Sequence, residues 1–359
     1  MGVSAPSPLR VGLLGYGLAG SVFHAPLIAT TEGLRLDAVV TANPQRRAQV
    51  LRDHPQARVM DSAEQLLASD SVDLVVVATP NRSHVPLARL AVQAGLPVVV
   101  DKPLAATAAE GRELVAEARR QGVLLTVFQN RRWDGDYLTV RRLLREDVLG
   151  TVSRFESRFE RWRPTVRERW RELPAPEEAG GLLFDLGSHL VDQALQLFGP
   201  VVSVYAEVER RRPGAQVDDD AFVALTHEAG THSHLWMSAV AAQLGPRMRV
   251  LGDRAGYTKY GLDVQEEALR AGGRPDRGSW GADPPHQWGK VGVDGDLREL
   301  STEPGCYQRF YGGLVAAVRD GAAMPVDPSD SVTVLEILEM ARNSASRGAA
   351  VTIPTKSRI

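Results

Sequence analysis

Over the first third of the chain, short and mostly apolar runs alternate with stretches of helical period. The runs fall at 10–14, 36–40, 72–78, 97–100 and 124–128, and the helical patterns between them at 44–52, 63–69, 84–94 and 108–121. Strands buried on both faces read this way, and their alternation with helices predicts a doubly wound parallel sheet. The pattern changes after Phe128. A helix through 141–147 ends near Gly150. Longer stretches then alternate polar and apolar positions at 151–162, 201–210, 221–226, 232–239, 247–251 and 290–293. That alternation suits a sheet with one buried face. The segment 270–285, rich in Gly, Pro and Asp, reads as a loop, and helical patterns at 307–319 and 332–346 follow it. Because 359 residues exceed what one core ordinarily serves, two domains are expected, 1–128 and 129–359.

Composition adds exclusions. The apolar share of 43% and the charged share of 24% are those of an ordinary globular protein. A formal net charge of -2 offers no general field to nucleic acid or a membrane surface, so neither is an expected partner. The single cysteine, Cys306, cannot form an intrachain disulfide or a Cys-rich zinc site. No apolar run is long enough to span a bilayer, and the opening MGVSAPSPLR lacks the basic segment and apolar core of a signal peptide. A cytoplasmic location is expected.

Candidate chemistry begins where the first apolar run ends. Gly15-Tyr16-Gly17-Leu18-Ala19-Gly20 matches G-x-G-x-x-G between a strand and a helix. Glycines there allow a tight turn and close approach of a pyrophosphate, and the helix start offers N–H groups to it. The continuing alternation favours a dinucleotide-binding domain over a sheet that merely uses glycine in its first turn. NAD would call for a carboxylate at the end of the second strand. The chain has Thr41-Ala42-Asn43 there, followed by Arg46 and Arg47. A guanidinium suits a 2′-phosphate, so NADP is favoured over NAD. The alternative leaves both arginines as solvated helix positions. Asp37 has roughly the right spacing but precedes Ala38-Val39-Val40, so it belongs within the strand.

Ligands of doubly wound sheets sit at the carboxyl ends of the strands. Thr79 and Asn81 in ATPNRSH and Lys102 in VVVDKPL are therefore candidate contacts, with Asp101 beside the lysine. His84 reads equally as a helix-start packing residue or as a contact. Asn130 and Arg131 follow the last strand of the first domain and suit substrate hydroxyls or a cofactor amide, with an ion-pair and packing cluster as the alternative. Trp162, Arg163, Arg169 and Trp170 form a basic, aromatic stretch. Tryptophan suits the apolar face of a ring and arginine suits hydroxyls, although such residues also serve domain packing. His232 and His234 alternate on a hairpin strand, and without a partner cluster no metal site is expected. His24 reads as a packed helix residue.

The stretch GGLLFDLGSHLVDQAL, 180–195, predicts a half-buried helix in which Asp185, His189 and Asp192 share one face. Ion pairing on a surface helix would explain such a stripe, and so would an acid/base pair facing a substrate.

Together GYGLAG, ATPNRSH, VVVDKP and GGLLFDLGSH resemble the Gfo/Idh/MocA oxidoreductase family over nearly the whole chain. FHAPL, FQNRRWDGDYLT, RFERWRPTVRERWRE and YTKYGLDVQEEAL are similar to its NADP-dependent scyllo-inositol dehydrogenase subgroup. The family usually has E-K-P where this chain has Asp101-Lys102-Pro103, an exchange that keeps the charge. The resemblance implies a Rossmann domain followed by a large, mostly antiparallel open sheet with helices on one side. The uncovered side would pair subunits into a homodimer or homotetramer. It also implies that Lys102, Asp185 and His189 line the active site. The residues read above complete the expected sets: Gly15, Tyr16, Gly17, Leu18, Ala19, Gly20, Thr41, Asn43, Arg46, Arg47, Thr79, Asn81, His84, Asp101, Lys102 and Asn130 toward the cofactor, and Arg131, Trp162 and Arg163 toward substrate. Oxidation of a secondary alcohol needs a base for the hydroxyl proton, which an imidazole can supply, and a donor to the developing alkoxide, which a lysine can supply. The expected activity is a metal-independent, NADP-dependent dehydrogenase of a polyol, inositol or sugar. Competing readings are a glycosidase working by oxidation and elimination on bound NAD, and a non-catalytic dinucleotide sensor. A sensor has no need of an acid/base set in register.

Overall fold

The structure is a computed structural model and describes residues 6–166, 172 and 174–353, so Arg169 and Trp170 lie outside the described residues. Contacts divide the chain into two compact units. The first runs to Trp133 and also takes Gln265–Trp280 and Cys306–Val332; the second holds Asp134–Val264, Gly281–Gly305 and the chain from Thr333.

The first unit is built on six strands: β1 (Leu9–Leu14), β2 (Leu34–Val40), β3 (Arg58–Met60), β4 (Leu74–Val77), β5 (Val98–Asp101) and β6 (Leu125–Phe128). They form one sheet in the order β3-β2-β1-β4-β5-β6, parallel throughout, with helices α1 (Ala25–Thr30), α2 (Pro44–Asp53), α3 (Ala63–Ala68), α4 (His84–Gln93) and α5 (Ala108–Gln121) between the strands. The expected doubly wound sheet is present. Its central strands are mostly apolar because helices cover both faces. Leu74, Val75, Val76, Val77 and Val98, Val99, Val100 are all fully buried, each contributing about 1.5–3 kcal/mol by leaving water. The helix after the glycine loop opens with one α-type bond, from the Ser21 N–H to the Gly17 carbonyl, and then widens. Ala19–His24 forms a π turn in which the Ala25 N–H donates to the Gly20 carbonyl five residues back. Pro26 has no N–H to give the α ladder, and the wider turn accommodates that gap.

The second unit carries α6 (Gly135–Arg145), β7 (Val152–Glu160), α7 (Leu182–Asp185), α8 (Gly187–Phe198), β8 (Val201–Glu209), β9 (Asp220–His227), β10 (His232–Ser238), β11 (Met248–Gly252), β12 (Gly256–Lys259), β13 (Gly289–Val293), β14 (Asp296–Leu300) and β15 (Val351–Thr352). The nine strands form one sheet ordered β14-β13-β12-β11-β7-β10-β9-β8-β15, antiparallel except for the β7–β10 pair. Phe155, Phe159, Val223, Leu225, Leu235, Met237 and Val250 point to one buried face, which α7 and α8 cover. The opposite face alternates with them and is polar and aromatic. There Glu156 lies among Arg154, Arg158 and Arg249, and the Arg158 guanidinium sits 3.9 Å above the Trp236 ring. One expectation is corrected: 180–195 is not a single helix, since it breaks at Leu186 between α7 and α8.

Two later segments return to the first unit. Gln265 opens α9 (Gln265–Arg270) and is fully buried. Its amide donates to the Trp133 carbonyl, while its oxygen accepts from the Trp280 indole and the Tyr307 backbone. One side chain thus joins three separate stretches of chain. The helix α10 (Gln308–Asp320) then brings Phe310 and Tyr311 against Phe128. Among the described residues, no helix is long and apolar enough to cross a membrane.

Candidate active site

Because the six strands of the first unit are parallel, their carboxyl ends share one edge. That edge collects the glycine turn, Thr41–Asn43, Thr79–Asn81, Asp101–Pro103 and Asn130. Gly15 has φ +96, and a Cβ there would lie 2.6 Å from the Ala78 carbonyl oxygen. A Cβ on Gly20 would lie 2.1 Å from the Gly15 carbonyl oxygen. Both positions therefore need glycine for the turn itself. Gly17 differs, since its Cβ would meet only the Arg46 guanidinium, at 4.0 Å. The residues thus form an open cradle with a cation at its rim, and a dinucleotide pyrophosphate fits it.

Asn43 caps α2, its Oδ1 accepting from the Arg46 N–H at 3.0 Å, and this places Arg46 in the first helical turn. Arg46 is exposed. Arg47 points elsewhere, donating to Asp61 at 2.5 Å and to the Thr41 carbonyl at 3.4 Å. Thr41 is buried. Asp37 lies three residues before the end of β2 and pairs with Arg35 and Arg58. Leu18 is 42% exposed, whereas the Tyr16 ring turns inward, edge-on to His54. Burial pushes the Tyr16 phenol up to about 12, so it stays neutral. Ala19 starts the π turn.

At the end of β4 the Thr79 hydroxyl accepts from Ser83, and Asn81 is buried. At the end of β5, Lys102 is half-buried and its N–H donates to the Asp101 carboxylate. Burial alone would raise the Asp101 carboxyl, but His24, His84 and Lys102 more than offset this and hold it below the usual range. His24 is a core residue, its Nδ1 2.6 Å from the Tyr311 hydroxyl and its Nε2 3.8 Å from Asp101. His84 is likewise buried, facing two backbone carbonyls. Asn130 is buried in a 3-10 turn, and Arg131, also buried, pairs with Glu266 at 2.7 Å. Arg131 thereby ties α9 to β6.

In the second unit Asp185 ends α7, His189 lies in the first turns of α8, and Asp192 follows on the same helix; His189 and Asp192 are buried. The sequence did not single out what holds this segment. The Asp218 carboxylate accepts from the Leu183 N–H at 2.7 Å, and its carbonyl accepts from Leu182. Gly181 makes room for it, since a Cβ there would be 2.1 Å from Asp218 Oδ1. Burial raises the Asp218 carboxyl above its ordinary value. The Arg342 guanidinium donates to the Gly180 carbonyl and stacks 4.1 Å from the Phe184 ring centre. Buried Arg247 donates to Gln193 on α8 and pairs with Asp136. The only sequence signal for Asp218 was its place in an acidic triplet, 218–220. Trp162 is 58% exposed beyond the end of β7, and Arg163 beside it is exposed, its N–H donating to the Ala239 carbonyl. His227 is a packed core residue between the Gly199 carbonyl and Ser233. Among the described residues, no three His, Cys, Asp or Glu side chains are grouped to hold a metal ion.

Comparison with known proteins shows the family and the fold. Residues 9–129 match the model of an oxidoreductase family's NAD-binding Rossmann fold, and residues 141–353 match that family's C-terminal alpha/beta domain. The chain is 38% identical to the scyllo-inositol 2-dehydrogenase (NADP(+)) of Bacillus subtilis over 94% of each protein. It is 42% identical to the uncharacterized oxidoreductase YdgJ of Escherichia coli, over 96% of this chain and 98% of that one. The solved structure of the oxidoreductase YvaA from Bacillus subtilis superposes with a TM-score of 0.91 at 36% identity, covering 97% of this chain and 99% of that one.

Proposed function

Since the chain belongs to the Gfo/Idh/MocA oxidoreductase family and is a dehydrogenase, we propose that it oxidises a secondary alcohol of an inositol, another polyol or a sugar, with NADP as its cofactor. The observation that carries the cofactor choice is the exposed Arg46 guanidinium at the open side of Gly17, with no carboxylate ending β2. The substrate class rests on the near full-length match to a relative named for scyllo-inositol.

Bound along the strand ends, the nicotinamide supplies the two-electron acceptor for the alcohol carbon. The chain's own residues manage binding and the proton. Gly15, Gly17 and Gly20 keep the turn low enough for a pyrophosphate, and Arg46 answers the 2′-phosphate, with Thr41 and Asn43 at the ribose end of β2. Thr79, Asn81 and Asn130 border the same edge. Lys102 donates to the substrate oxygen and stabilises negative charge as its proton leaves. His189 takes that proton at a ring nitrogen and returns it in the reverse direction. Asp185 orients the hydroxyl or the imidazole. Trp162 and Arg163 are assigned to the substrate's ring face and hydroxyls. No metal is needed in this scheme. We also assign self-association to the Arg158–Trp236 face of the nine-stranded sheet, and a cytoplasmic location.

Deuterium at the reacting carbon tests the reading. Incubation of C-deuterated inositols with NADP should yield NADPH carrying one deuterium, detected by mass spectrometry. Unlabelled NADPH, or consumption of substrate without NADPH, would refute it.

A further inference from the structure

We propose that His84 is held as an imidazolium and acts as a positioning residue, clamping the loop after β4 to the loop that carries Lys102. The inference deepens the proposed function, because its catalytic consequence rests on the role given there to Lys102.

His84 opens α4 and is 1% exposed. Its Nδ1 lies 2.8 Å from the Pro103 carbonyl oxygen and its Nε2 lies 2.9 Å from the Thr79 carbonyl oxygen. A carbonyl oxygen only accepts, and a neutral imidazole has one N–H to give. In either neutral tautomer one ring nitrogen would turn a lone pair toward a carbonyl lone pair at hydrogen-bond distance. Two N–H donors exist only in the cation. Burying a cation requires a compensating charge, and Asp101 provides it. That carboxylate is itself buried and stays ionised against its burial, with His24, His84 and Lys102 acting on it. The same carboxylate is thus shared with Lys102 beside it at the end of β5 and with His24 from the turn before α1.

The geometry explains why the two carbonyls matter. Thr79 immediately follows Ala78, which touches the Gly15 turn, and Pro103 immediately follows Lys102. One side chain therefore joins the backbone of two candidate cofactor-site loops to a helix start. Of the two sequence readings of His84, the buried position and the two carbonyl partners favour packing, and the packing is polar. Loss of the clamp should displace Lys102, and a misplacement of about 1 Å in a reacting constellation can cost about a hundredfold in rate.

The test uses the full chain labelled with ¹⁵N in histidine, with the His84 signals assigned from their loss in H84Q. Two proton-bearing ring nitrogens between about pH 6 and about pH 8 are expected, as an ordinary imidazole loses its second proton within that range. One bare nitrogen throughout that range overturns the proposal. The positioning role is read separately. H84F should lower kcat about a hundredfold and NADP affinity by clearly less, and H84Q, which keeps donors, should recover part of kcat. Equal losses of kcat and affinity, or no recovery in H84Q, would reduce His84 to packing. If the wild-type chain turns over no polyol, the proposed function has failed, but the nitrogen spectrum still decides the charge. In that case hydrogen exchange of the Lys102 amide decides the clamp: faster in H84F supports it, and unchanged exchange overturns it.

Discussion

Replacing Arg46 by alanine separates the two nicotinamide cofactors. The Arg46 guanidinium lies 4.0 Å from the Cβ position of Gly17 and is exposed to solvent. A hydrogen bond to a charged partner contributes about 1.5–3 kcal/mol, which corresponds to roughly 10- to 150-fold in Kd. Solvent screening at an exposed site places the expected loss near the lower end, about tenfold. NAD has no 2′-phosphate, so its affinity should change by less than about twofold. Arg47→Ala is the internal control. Arg47 is already held by Asp61 and the Thr41 carbonyl, so its loss should leave NADP binding nearly intact. Isothermal titration of NADP and NAD with the three proteins measures this directly, and raised salt should shrink the Arg46 effect. Equal weakening of both cofactors in Arg46→Ala, or a loss confined to Arg47→Ala, would refute the reasoning.

Other expectations follow from the same geometry. His189→Ala should cut turnover by roughly two to four decades while NADP binding persists; stopped-flow and equilibrium binding separate the two, and surviving turnover would exclude His189 as the base. Lys102→Met should lower kcat more than cofactor affinity, and parallel losses would make it a cofactor residue instead. Gly15→Ala places a Cβ 2.6 Å from the Ala78 carbonyl at φ +96. Strain of about 1–3 kcal/mol from backbone conformation alone should lower Tm and abolish dinucleotide binding; a variant that binds normally would contradict the turn geometry. Burial raises the Asp218 carboxyl, so the native state holds that proton more tightly than the unfolded chain. Its contribution to stability is full below the ordinary carboxylate range and declines as pH rises through the folded value. Asp218→Asn should therefore gain in Tm relative to wild type between about pH 4 and about pH 7, and a gap that narrows over that range would be the wrong sign.

The sequence disclosed the first unit well because its strands are buried on both faces. Leu74–Val77 and Val98–Val100 carry no polar residue that could blur the pattern. Strands that break the alternation were not legible. Lys259 in β12 is fully buried because Asp283 pairs with it, and β14 is an exposed edge with almost no apolar signal. The three-residue β3 is too short to show a period. The return of 265–280 and 306–332 to the first unit rests partly on Gln265, whose partners lie in three other stretches of chain, and partly on Phe310 and Tyr311 against Phe128. Local pattern carries no information about such contacts. At the site, the glycine turn, Lys102 and the Asp185–His189 spacing stood out because each is a local motif. Asp218 and Arg342 did not, since they act on α7 from far along the chain. The break at Leu186 had one local signal, Gly187 beside it, a weak helix former that the apolar spacing outweighed in the sequence reading.

The central claim is an NADP-dependent dehydrogenase of a polyol or sugar. Initial rates of nicotinamide reduction, followed by absorbance with purified protein, NADP and a panel of inositols and aldoses, and repeated with NAD, test it most directly. The account predicts stereoselective turnover of one or a few of these substrates, faster with NADP than with NAD. Tight dinucleotide binding without reduction of either cofactor by any of them would contradict it.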